Sequence, residues 1–232
     1  MDKQEIIAAL HRDLASVIEE RQAARKFPES YAARTALRQF QVARMSRTHA
    51  DLLEDPETNA AAGFFLSDLY GPHDLSERDT NLKRALPTIE RLLPVPALAG
   101  VAEAISLDAL SERLDAGMAA MLGTEFSEEA YIEAYRKTGA RTDRVRQLDH
   151  VERLGVALTD LVRHPLIGRT LSLMKGPAKL AGVGHLQDFL ERGFKAFEAM
   201  KAPQEFVAKV VTRERQIMEQ LYRGKKNPLE LS

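Results

Sequence analysis

The sequence predicts an all-α protein, and three observations predict it. Apolar residues return at steps of three and four over long stretches and nowhere hold the two-residue alternation of a strand. The composition is rich in Ala, Leu, Glu and Arg, with no tryptophan and only 6% aromatic residues, which suits straight helices packed by aliphatic side chains. Prolines and glycines fall between the periodic stretches, where helices start and stop. The 232 residues can bury a large core, and no repeat, low-complexity tract or Gly/Ser linker divides them. A single domain over residues 1–232 is expected, with eight to ten helices, mostly antiparallel and joined by proline-kinked connectors.

The elements follow in order. Ile6, Ile7, Leu10, Leu14, Val17 and Ile18 mark a helix over residues 3–25 that stops before Pro28. Residues 31–53 are helical by propensity and end at Pro56. A short apolar helix covers 58–70, where Ala60, Ala61, Ala62 and Gly63 leave one flank open to close approach. Gly71-Pro72 turns the chain, and Ser76 with Asp79 reads as the cap of a helix running to about Ala85. Pro87 is expected to begin a separate turn before Pro94 and Pro96. Residues 97–122 form a long helix closed by Gly123, Ser127 caps EEAYIEAYRK, and Gly139 ends it. Thr142 is expected to cap a helix over 143–163. Short turns at 166–174 and 178–181, divided by Gly176-Pro177, lead to two final helices, and residues 224–232 are expected to fray.

Composition excludes several chemistries. Without cysteine the chain has no disulfide, thiolate nucleophile or Cys-held metal or cluster. A formal net charge of −1 provides no overall field for nucleic acid, which is not an expected partner. No apolar run reaches the length of a membrane span, and the amphipathic N-terminus lacks signal-peptide features, so the sequence reads as a soluble cytoplasmic protein. Charge is nonetheless segregated. Arg21, Arg25, Lys26, Arg34, Arg38, Arg44 and Arg47 face only Glu29 across residues 21–49, whereas eight acids between Glu103 and Glu133 face only Arg113. The two regions can pair within the fold, pair across a dimer, or bind partners.

No Glu-x-x-His, His-x-x-x-His, nucleophile-elbow or phosphate-loop spacing occurs, so no catalytic residue is assigned and no metal site is predicted. The acids Asp51, Glu54, Asp55 and Glu57 lack the second acidic motif that a diphosphate-binding magnesium site needs. Haem asks only for one axial histidine in an apolar pocket, and His11 and His185 are the candidates for that alternative. The densest motif is NAAAGFFLSDLYGPHDLSERD, from Asn59 to Asp79. Its aromatics read as core by spacing, or as a pocket in which Phe64, Phe65 and Tyr70 take an apolar tail while Arg78 and Asp79, on the next helix's first turn, flank an acidic head group.

FFLSDLYGPHDLSERD, the later EAYRKTG, GHLQDFLERGFKAFEAM and the C-terminal TRERQIMEQLY together resemble an uncharacterised all-helical family of bacterial proteins, over about Tyr31 to Tyr222. The resemblance implies one bacterial cytoplasmic domain and no particular activity, cofactor or catalytic residue. The expected function is therefore a non-catalytic or regulatory helical protein that binds a protein partner or a small amphiphilic, acidic ligand near the motif. The alternatives are a haem-binding or other cofactor-binding helical enzyme or carrier, and a homo-oligomeric helical scaffold.

Overall fold

Asp2 starts the first helix by a reciprocal cap. Its carboxylate accepts from the Glu5 N–H, and the Glu5 carboxylate accepts from the Asp2 N–H, each at 2.8 Å. The protein is described here by a computed structural model covering residues 2–71, 76–180 and 184–231. Eleven α-helices follow one another: α1 (Lys3–Arg25), α2 (Pro28–Thr48), α3 (Ala50–Glu54), α4 (Asn59–Phe64), α5 (Ser76–Leu92), α6 (Val95–Leu122), α7 (Glu128–Lys137), α8 (Arg141–Val162), α9 (Pro165–Leu180), α10 (Gly184–Glu198) and α11 (Pro203–Arg223). A single π turn (Phe65–Leu69) follows α4, and no strand occurs among the described residues.

The 28-residue α6 is the axis of the fold, with α1, α2, α7 and α8 packed around it. Contacts between α6 and α8 run in opposite senses, from Glu103–His150 to Arg113–Asp143, so these helices are antiparallel. By contrast α1 and α6 run parallel, because Asp13 meets Ser106 while Arg21 meets Glu112. The returning α5 makes this possible: it lies antiparallel to α1, with Asp79 at Arg21 and Glu90 at His11.

Three apolar clusters fill the interior. Leu10, Leu14, Leu86 and Leu98 join α1, α5 and α6; Leu37, Met118, Tyr131 and Leu221 join α2, α6, α7 and α11; Ala61, Phe64, Phe197 and Phe206 join α4, α10 and α11. Each fully buried Leu, Phe or Met contributes roughly 1.5–3 kcal/mol relative to exposure.

Several boundaries differ from the sequence expectation. Pro87 lies inside one continuous α5. The carbonyl that loses its partner there belongs to Lys83, which is exposed, so water can satisfy it. The same logic keeps α9 whole across Gly176-Pro177, where the exposed Leu173 supplies the orphaned carbonyl. At the start of α8, Ala140 stands in the cap position in place of Thr142, and its N–H donates to the Asp143 carboxylate at 3.4 Å. The expected fraying of residues 224–232 is not what the chain does at Leu229, which is buried in the α2–α6–α11 cluster. Ser127 and the positive-φ Gly123 and Gly139 act as the sequence predicts.

Candidate functional site

The motif turns inward. Phe64 is buried with its ring 5.1 Å from that of Phe189, and Phe65 lies 5.8 Å from Phe197 and 6.2 Å from Phe206. Close approach is granted by a glycine of α10, since a Cβ on Gly193 would come within 2.7 Å of the Phe64 ring. Nothing lies within 4 Å of where a Cβ on Gly63 would stand. The helix then widens into the π turn, where the Tyr70 N–H donates to the Phe65 carbonyl at 3.1 Å and the Ser67 hydroxyl donates to the Gly63 carbonyl at 2.7 Å. The added residue takes Tyr70 off the aromatic face and into the polar interior.

There the Tyr70 hydroxyl rests against Gln41 Oε1 and donates to Asp115 Oδ2 at 2.8 Å. Asp115 and Glu112 are both 1% exposed. Glu112 accepts from Arg21 Nε at 2.9 Å, from Arg34 at 3.3 Å and from Arg38. Arg21 also donates to Asp108 at 2.7 Å and to Asp79, the last residue of the motif. The network therefore clamps α1, α2, α5, α6 and the π turn at one place.

Two further buried arginines lie on α2 and α8. Arg44 grips both oxygens of Glu214, at 2.6 and 2.7 Å, and His49 Nε2 lies 2.9 Å from the same carboxylate. Arg144 is 2% exposed and sits 4.2 Å above the Tyr135 ring, with contacts to Met118 Sδ at 3.0 Å and Gln147 Oε1 at 3.3 Å.

These surroundings decide the proton affinities. Burial pushes the Asp115 carboxyl up; Arg38 opposes that and Glu112 reinforces it. Burial also drives the Tyr70 phenol well above its ordinary value, aided by Asp115, so the hydroxyl remains a donor. For Glu214, burial would raise the carboxyl, but Arg44 and His49 outweigh it and bring it down to about 2. Carboxylates saturated by guanidinium donors and closed off from water are suited to holding helices together, and poorly suited to moving protons to and from a substrate.

Of the residues singled out in the sequence, the structure thus brings Tyr70 and Asp79 into one charge network and Phe64 and Phe65 into an aromatic core. The side chains of Arg78 and His185 lie outside the described residues, as do Pro72, His73 and Asp74 and the Ser76 side chain. His11 does not occupy an apolar pocket: its side chain is 54% exposed and Nε2 lies 2.6 Å from Glu90. Asp51 is bound by Arg213 and Lys209. The basic and acidic segments pair within the fold through Arg21, Arg34 and Arg38 on one side and Asp108, Glu112 and Asp115 on the other.

Gln41, Glu112, Asp115, Arg144 and Glu214 were not among the sequence candidates. A signal for the first three was present, because Arg34, Arg38 and Gln41 on α2 and Asp108, Glu112 and Asp115 on α6 each recur at steps of four and three, which lines up one polar face per helix. Nothing comparable marks Arg144 or Glu214, which stand among ordinary surface charges in sequence.

No curated protein and no solved structure matches the chain. Among family models, one described as a domain of unknown function, DUF8198, matches residues 20–228. That range takes in the motif, the α2 and α6 polar faces and both arginine networks, and the chain belongs to this DUF8198 family.

Proposed function

We propose that this is a non-catalytic helical protein that binds a protein partner, with the aromatic and acidic motif serving as its internal clamp. The observation that carries this reading is the division of labour between inside and outside. The described motif groups that could have bound a small ligand, Phe64, Phe65, Tyr70 and Asp79, are engaged by the fold, whereas large apolar side chains stand uncovered at one end of it. Phe27 is 65% exposed and Tyr31, one turn on, is 40% exposed. Because α1 and α6 run parallel, this turn lies at the same end as Met121, which is 50% exposed.

Around them are exposed groups of both signs, Lys26 and Glu29 beside Phe27, and Glu125 and Glu128 beyond α6. An aromatic centre with a mixed-charge rim is the composition of a protein interface, and aromatic anchors carry much of the binding energy in such patches. The test replaces Phe27 with a photo-crosslinking benzoylphenylalanine in cells, with Val156, 50% exposed on α8, as the control position. Discrete adducts from position 27 and none from 156 are expected. Equal labelling at both, or a purified protein whose native mass exceeds its denatured mass by a small molecule, would reverse the reading.

A further inference from the structure

We propose that α9 is a docking face for an anionic lipid surface. Between Asp160 and Asp188 the sequence holds no acidic residue, while Arg163, Arg169, Lys175 and Lys179 supply positive charge. With a net charge of −1 for the whole chain, that stretch of +4 leaves −5 for the remainder, so positive charge is concentrated from the end of α8 through α9.

The position of α9 suits the role. It packs on α10, with a lesser contact to α8, and stands at the edge of the fold away from α6. Arg169, Ser172, Leu173 and Gly176 recur at steps of three and four and are all exposed, and Leu173, at 78%, is the most exposed large hydrophobic residue among those described. Arg163 and Arg169 make no ion pair among the described residues. Lys175 is spanned to Glu191 at 3.4 Å, and its side chain remains 62% exposed. Exposed arginines such as Arg141 and Arg192 have carboxylate partners, whereas Arg169 on α9 has none among the described residues.

A basic helix with a projecting leucine is the pattern of an interfacial helix: the cations are drawn to anionic head groups and the apolar side chain enters the boundary beneath them. The acid-free sequence distinguishes this face from the mixed-charge end around Phe27, which suits a protein. With one large apolar side chain projecting, the association is reversible and governed by charge, and it weakens as salt shortens the range of the field.

The experiment is co-sedimentation of the full-length protein with phosphatidylcholine vesicles, with and without phosphatidylserine. Binding is expected only with phosphatidylserine and should fall as ionic strength is raised. Arg169→Glu is expected to weaken it by at least about fivefold, and Leu173→Asp by on the order of tenfold. Phe27→Asp adds the same charge as Leu173→Asp at the other exposed patch and should leave binding within about twofold, since it lies away from the contact. All three positions are exposed, and unchanged helicity and melting verify the fold. The proposal is overturned by no binding to phosphatidylserine vesicles, by equal binding to phosphatidylcholine alone, by equal loss in Phe27→Asp and Leu173→Asp, or by Arg169-dependent binding to duplex DNA with none to vesicles.

Discussion

Glu112 and Asp115 sit one turn apart on α6, both inside the protein, and have opposite energetics. Glu112 faces three guanidinium groups at hydrogen-bonding distance. Asp115 is held chiefly by neutral donors, the Tyr70 hydroxyl at 2.8 Å and the Gln41 amide at 3.3 Å, with Arg38 Nε more distant at 3.7 Å. Removing the Glu112 charge strands buried cations, so Glu112→Gln should cost about 3 kcal/mol or more. In a chain of this size that is a fall of roughly 6–12 °C in Tm. Asp115→Asn keeps an acceptor for Tyr70 and removes a charge that burial disfavours, so it should cost less than about 1 kcal/mol at neutral pH. Thermal melts of the two variants side by side test the difference; equal losses would mean that both carboxylates act as ion-pair partners.

At the scale of the element, the crossing of α8 and α11 depends on a missing side chain. A Cβ at Gly155 would lie 2.5 and 2.6 Å from the two methyls of Val207. Valine is stiff at χ1 and cannot swing away, so the helices must separate. Gly155→Ala should therefore destabilise by about 1–2 kcal/mol even though alanine favours the helix by about 1 kcal/mol. Pro87→Ala in α5 should act in the other direction. Pro87 is exposed inside a continuous helix, and alanine there restores an N–H donor, with an expected gain of about 1–2 kcal/mol. Denaturant midpoints that moved the same way for both would show that helix propensity alone sets them.

At the scale of the whole molecule, charge inside the fold is held in opposed groups: among the described residues Arg21, Arg34, Arg38 and Arg44 meet Asp79, Asp108, Glu112, Asp115 and Glu214, while Arg144 lies over the Tyr135 ring without an ion pair. Such a core resists acid in a definite order. Glu214 is depressed to about 2 from an ordinary 4.5, so its contribution is complete above pH 4.5 and lost as pH falls through about 2. Glu103, lowered by His150 and Arg153 against the effect of its partial burial, adds to the same trend. Asp115 has the opposite sign: its raised affinity means that protonation relieves strain as pH falls. Helicity followed against pH should hold to the ordinary carboxylate range and decline below it, and Glu214→Gln should be less stable at neutral pH with a shallower acid limb. None of the described helices is long and apolar enough to cross a membrane.

Helix type and most helix ends were determined by the sequence itself, because caps and periodicity act within a few residues: Asp2 with Glu5, Ser127, Gly123 and Gly139 all do locally what their chemistry dictates. Pro87 and Pro177 read as breaks in the sequence but lie inside helices, because whether a proline ends a helix depends on whether water reaches the carbonyl it orphans, and that is set by the fold. The motif around Tyr70 was legible as a unit, but its direction was not. The π turn aims it inward only because Arg21 and Glu112, 91 positions apart, have already been brought together by the parallel packing of α1 and α6. Segregated charge in the sequence announced that basic and acidic segments would attract. Only tertiary structure decided that they meet inside the molecule, since burial leaves each charge no partner but the other.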